Sequence, residues 1–306
     1  MKSGNPHLQI HFCVVLWGFT AVFGRLISLP ALPLVWWRMM LVAAMLATFP
    51  RIWREVRRLP VSLLAAYAGI GMIIALHWLT FYGAIKVANA SVGATCMALG
   101  PVFLAIIEPL LVKRPFDYRE LLLGAAVIPG VVLVVGGVPS GMRLGIAIGA
   151  LSALLVAIFS TFNKLLVHRA DPLAVTAIEL SAGAALLTVV IALTPGRDAS
   201  FVLPGARDAI YLVILAAGCT IVPFTIALVA LRQLSAFAAQ LAVNLEPVYA
   251  IILATMLLGE HRQLGPEFYA GVMIILTLVF AYPLIVRRTP AAAHPEELSA
   301  VEETRT

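Results

Sequence analysis

The chain has 306 residues, 62% of them hydrophobic and 12% charged, whereas soluble domains run at about 45–50% apolar and about 25% charged. With a mean hydropathy of +1.01, too few polar residues exist to cover a water-exposed surface, so a soluble protein is excluded. The net charge of +6 comes with no basic stripe interleaved with aromatics, which excludes nucleic acid as a partner and leaves membrane orientation as its meaning.

Apolar runs between Pro, Gly and charge punctuation predict ten spans, near residues 8–28, 34–50, 62–82, 89–111, 120–138, 144–166, 173–193, 209–230, 236–258 and 267–286. Each is continuous and about as long as a bilayer requires, which demands helices and not the alternating short strands of a barrel. The first run reads as a retained span: Arg25 stands where a signal-peptide cleavage site would fall. The tail from Thr289 to Thr306 is polar, acidic and Pro-containing, and is expected to be a disordered cytoplasmic tail. Cys13, Cys96 and Cys219 lie inside apolar runs without metal-type or disulfide spacing and read as packing residues.

With ten spans both chain ends share one side. That side collects Lys2, the Arg51 to Arg58 turn, Lys113, Arg114, Arg119, Arg169, Arg232, Arg287, Arg288 and Arg305, thirteen basic residues in all, against Lys86, Arg143, Arg197, Arg207 and Arg262 opposite. The positive-inside rule then makes both termini cytoplasmic, and the expected location is a bacterial-type inner membrane.

The chain repeats itself. A shift of 146 sets Ala84, Lys86, Ala90, Leu99, Pro101 and Val102 on Ala230, Arg232, Ala236, Leu245, Pro247 and Val248, and a shift of 139 sets Phe23, Arg25 and Leu26 on Phe162, Lys164 and Leu165. Two copies follow, residues 1–140 and 141–288, before the tail at 289–306. An odd number of spans per copy makes the second enter the membrane from the opposite side. The expected fold is therefore an all-α integral membrane protein of ten transmembrane helices in two inverted five-helix repeats, a plan used by many secondary transporters.

Particular residues sharpen this. Trp17-Gly18 in the first span, Ala84-Ile85-Lys86 before the fourth, Pro101 within it, and Asn244-Leu245-Glu246-Pro247-Val248 running to Leu257-Leu258-Gly259-Glu260 and Gly271 together resemble the EamA-type transporters of the drug/metabolite transporter superfamily. The resemblance covers residues 8–286 and implies a ten-helix inverted-repeat carrier that typically exports amino acids, metabolites or drugs. The first half departs from the second in having Lys113-Arg114 where the second has Gly259-Glu260.

Ionisable residues inside a membrane cost about 2.5–3.5 kcal/mol each on insertion scales and mark pathways or sites. Arg25, Arg38, Lys164, Glu108, Glu179 and Glu246 qualify. Arg38, early in the second span, and Glu246, expected mid-helix, are the pair assigned to the cavity border, while Arg25 and Lys164 near helix ends are expected to snorkel. Gln240 and Asn244 share a helix face, so the polar groups concentrate in the second half. Pro101 and Pro247 each withhold an N–H from the carbonyl four residues back and read as helix kinks or cavity lining. His77, Trp78, Phe81 and Tyr82 form aromatic ridges; His77 is a candidate for a substrate carboxylate or a proton, and Trp78 and Tyr82 read either as substrate contacts or as an interfacial belt. Trp17 is divided between lining and packing. Gly141, Gly145, Gly149 and Ala153 make a row of small residues for close helix contact, within the chain or in a homodimer.

The substrate-binding candidates are thus Trp17, Arg38, His77, Trp78, Tyr82, Gln240, Asn244 and Glu246. A membrane-embedded enzyme would need a nucleophile or metal constellation that the sequence lacks, and no cofactor or metal is called for. A channel or scaffold does not account for the duplication. The expected partners are a small-molecule substrate, the lipid bilayer and protons as the coupling ion. The favoured function is export of amino acids or related metabolites by alternating access, with multidrug or other metabolite carriage as the alternative.

Overall fold

The computed structural model describes residues 5–113, 115–194, 201–235, 239, 242–243 and 245–285, which form helices joined by short turns. The tail at 289–306, Gln240 and Asn244 lie outside the described residues.

Local chemistry sets the helix starts. Helix α1 (Pro6–Leu26) begins where the Asn5 side chain accepts from the His7 N–H at 3.0 Å and Pro6 pre-sets the first turn. Helix α2 (Ala31–Ala47) ends three residues short of the expected span. Pro50 opens a short helix α3 (Pro50–Val56) bent by 95° from it, and the Trp53 indole donates back to the Ala47 carbonyl at 2.8 Å. Helix α4 (Val61–Val87) runs five residues beyond the expected third span because no breaker occurs before Asn89. Asn89 then caps α5 (Ala90–Met97), accepting from the Val92 N–H at 2.9 Å.

Helix α6 (Gly100–Val112) continues the fourth span after an interruption at Ala98 and Leu99, with Pro101 at its second position. Then come α7 (Tyr118–Gly136), α8 (Arg143–Leu166) and α9 (Pro172–Leu193), the last capped by Asp171. The eighth span is divided into α10 (Ala206–Ala216) and α11 (Val222–Leu231) by a wide π-type turn at Ala217–Ile221. Helices α12 (Glu246–Leu258) and α13 (Pro266–Ile285) close the fold.

Six stretches among the described residues are long and apolar enough to cross a membrane: Pro6–Leu26, Val61–Val87, Ala90–Val112, Ser140–Leu166, Pro172–Leu193 and Ala206–Leu231. The other expected spans are represented by the bent α2–α3 pair and by shorter apolar helices at Ala126–Gly136, Glu246–Leu258 and Pro266–Leu278.

The duplication is visible in contacts. Helix α1 packs against α11 and α12, and its repeat mate α8 packs against α4, α5 and α6, so the opening helix of each half lies on the third and fourth spans of the other. The Lys86 amine donates to the carbonyl of Ile27 just past α1. Arg232, 146 residues on, does the same past α8, donating to Val167 at 3.1 Å and Ala170 at 2.8 Å. Both place a cation at the negative end of a helix. Lys113 and Gly259, also 146 apart, both adopt the left-handed conformation at a helix end, with φ of 57° and 66°. Lys164 donates to the Leu231 carbonyl at a helix end at 2.8 Å, whereas its mate Arg25 is exposed.

The turns segregate to two ends. Arg51 pairs with Asp171 at 3.2 Å, and Arg232 reaches Val167 and Ala170, which gathers the basic turns at one end. At the other, Asp208 accepts from the Ser28 N–H and hydroxyl, Asn89 donates to Gln263, and Glu260 accepts from the Ala90 and Ser91 N–H groups and the Ser91 hydroxyl at 2.7–3.0 Å. Loop Glu260 is thus a helix cap. The small-residue row is used within the chain: a Cβ at Gly145 would lie 2.7 Å from Ala88 Cβ, and one at Gly149 would lie 2.6 Å from Cys96 Sγ.

A central cavity around a buried arginine

The middle of the bundle holds a cavity of about 140 Å³ bordered by α1, α2, α4, α8, α11 and the start of α12. Its charged centre is Arg38, which lies mid-way along α2, not early in it, and is 2% exposed. Its guanidinium stacks on the Trp78 ring, 3.7 Å from the centroid. Nη1 donates to the Tyr82 hydroxyl at 2.8 Å and Nε to the Thr220 hydroxyl at 2.8 Å, with a longer contact from Nη2 to the Cys219 carbonyl at 3.4 Å.

The Thr220 and Cys219 partners exist because of the helix break. Pro223 has no N–H to offer the carbonyl four residues back, and that carbonyl belongs to Cys219. The released carbonyl turns to Arg38, and Thr220, inside the same wide turn, accepts from Arg38 while donating to Leu215 O at 2.7 Å. Pro223, Thr220 and Cys219 were not among the sequence candidates. The readable signal was a proline inside an otherwise continuous apolar span.

No carboxylate lies within ion-pair distance of Arg38 among the described residues. Its charge is held by hydroxyls, a carbonyl and an aromatic face, a set that stabilises a cation without neutralising it; a desolvated cation–π contact contributes about 2 kcal/mol. Five guanidinium N–H groups outnumber the three partners among the described residues, and Arg38 borders the cavity.

His77, Phe81, Trp17, Trp78 and Glu246 also border the cavity, together with Phe159, Asn163 and Phe224, which the sequence reading missed. Phe159 and Asn163 are four apart on α8, so the signal was one helix face. Trp78 and Phe224, separated by 146 residues, meet edge-on with centroids 6.4 Å apart, which makes the aromatic wall a product of both repeats. Trp78 and Tyr82 are buried inside the bundle, which removes the interfacial-belt reading for both. Tyr82 does not border the cavity and acts only through Arg38.

Glu246 is the first residue of α12 and not mid-helix, because Pro247 at the second position starts that helix. Pro247 and Pro101 are buried and neither borders the cavity; each instead stands at the second position of its helix. Glu179 is fully buried outside the cavity. Glu108 is half-buried in α6 and away from the cavity. No cluster of three or more metal-ligating side chains occurs among the described residues.

Apolar helices that repeat in pairs around one partly polar cavity define a multi-pass membrane protein built to hold a small solute. The sequence profile of the EamA-like transporter family matches residues 7–136 and 143–282, one match per repeat, and the chain belongs to that family of the drug/metabolite transporter type. It is accordingly a member of a transporter family and not of an enzyme family. No curated protein matches it. A solved structure described only as a crystal structure of a protein is similar to it with a TM-score of 0.66 and 17% identity, over 94% of this chain and 99% of that one; at that identity the likeness shows the fold alone.

Proposed function

We propose that the protein is a secondary carrier of the inner membrane that exports amino acids or related small metabolites by alternating access. In this reading ten spans form two inverted five-helix repeats, residues 1–140 and 141–288, whose rocking exposes the cavity to each side in turn. The end that gathers the Arg51, Arg169 and Arg232 turns is cytoplasmic. The observation that carries the substrate class is the unneutralised Arg38 guanidinium with aromatic walls beside it. It suits a carboxylate attached to an apolar body, while Glu246 on the same cavity suits an ammonium group.

Reconstitution into liposomes tests this. Saturable uptake and counterflow of aromatic or aliphatic amino acids is expected. Flux of a cationic drug without any amino acid flux would favour the multidrug alternative and overturn the substrate assignment. Protons are proposed as the coupling ion on the strength of the intramembrane carboxylates Glu246 and Glu179; flux indifferent to an imposed pH gradient would mean facilitated diffusion. Reporter fusions at the Arg51 to Arg58 turn and at Arg232 should report the same face of the membrane.

A further inference from the structure

The His77 ring is oriented by a serine of ordinary type on the neighbouring helix α8. Ser152, fully buried on α8, places its hydroxyl oxygen 2.8 Å from His77 Nδ1 and 2.9 Å from the His77 carbonyl, and its own carbonyl 3.1 Å from Nδ1. Hydrogen counting decides the arrangement. Carbonyl oxygens only accept, and a serine hydroxyl has one hydrogen to give. With that hydrogen donated to the His77 carbonyl, Nδ1 must itself carry a hydrogen, which it directs at the two Ser152 oxygens. The opposite assignment would set the Nδ1 lone pair against the Ser152 carbonyl.

In the neutral ring, hydrogen on Nδ1 leaves Nε2 as an acceptor. Nε2 has no hydrogen-bond partner among the described residues, and His77 borders the cavity. Phe81 and Phe159 flank the ring with centroids at 6.2 Å and 5.5 Å, which limits its rotation. We infer that Ser152 is a positioning residue that fixes His77 as a hydrogen-bond acceptor, so that the cavity selects solutes carrying an N–H donor. This rests on the carrier reading above. It also reassigns His77: the ring faces the amino end of a solute and not its carboxylate, which falls to Arg38.

The protein in lipid nanodiscs, labelled with ¹⁵N-histidine, provides the test, the His77 signals being assigned by their loss in His77→Phe. At neutral pH the spectrum should show a protonated Nδ1 and an unprotonated Nε2; a protonated Nε2 overturns the inference. L-phenylalanine should bind at least about tenfold more tightly than 3-phenylpropionate, which lacks the amino group, because a polar site left unpaired discriminates strongly. Ser152→Ala should broaden or mix the two His77 forms and shrink that preference by several-fold while leaving 3-phenylpropionate affinity in place. If either the spectrum or the preference is unaltered in Ser152→Ala, the inference fails. If neither compound binds the unmodified protein, the amino acid reading fails, and the spectra of the two proteins still decide the role of Ser152.

Discussion

Replacing Arg38 with methionine separates the cation from the volume it fills. Methionine keeps an unbranched apolar stem against Trp78, and it removes the donors to Tyr82, Thr220 and Cys219. Thr220 keeps its bond to the Leu215 carbonyl, whereas the Tyr82 hydroxyl and the Cys219 carbonyl lose the Arg38 donor. The desolvation cost removed with the buried charge offsets the hydrogen bonds and ring contact that are lost, so thermal unfolding in detergent should change little. Ligand affinity should move. A hydrogen bond to a charged group contributes about 1.5–3 kcal/mol, which at about 1.4 kcal/mol per decade is a roughly 10- to 150-fold loss. The assay is equilibrium binding of L-phenylalanine to Arg38→Met in nanodiscs, with phenethylamine, which has no carboxylate, as the control. An equal loss for both compounds, or no loss for phenylalanine, would refute Arg38 as the carboxylate receptor.

Pro223→Ala should restore regular helix bonding at Cys219 and remove the acceptor that Arg38 uses; since an interior proline costs a helix about 3 kcal/mol, stability should rise or hold while transport falls several-fold, and undiminished flux would detach the wide turn from function. Gly149→Leu forces side-chain atoms onto Cys96 Sγ and should destabilise the protein by about 1–3 kcal/mol, read as a lowered melting temperature; an unchanged one would show that α5 and α8 can part. Glu260→Ala removes the acceptor for three donors at the start of α5 and should cost about 0.5–2 kcal/mol, again read by thermal melting. Glu246→Gln should lower transport about tenfold with folding intact if its carboxylate pairs with an ammonium group; unchanged flux removes it from the pathway.

The repeat and the membrane class were legible because composition and spacing are properties of the chain alone. Lys86 and Arg232 could be aligned by number, and in the fold they make the same helix-end contact. Arg38 and His77 were legible because a charged or titratable group in lipid needs a reason to be there. Their partners were not. Thr220, Ser152 and Phe159 are unremarkable in type, and only the packing of α2 on α10 and the wide turn and of α4 on α8 brings them together. Segment ends misled in one direction: an interfacial belt stood as one of two readings for Trp78 and Tyr82 because α4 was expected to stop at residue 82, and five more helical residues carry both rings inside.

Position 77 in the first half and position 223 in the second are 146 apart, yet one holds a histidine and the other the proline that opens the wide turn. The scaffold is duplicated; the wide turn is not. If the halves exchange conformations during transport, the inward and outward forms are therefore not energetic equals, because the turn that yields a carbonyl to Arg38 exists on one side of the pseudo-axis alone. Such a carrier has a preferred resting posture written into its covalent structure, and a solute reversing that posture must supply the difference through how tightly it is held in each form.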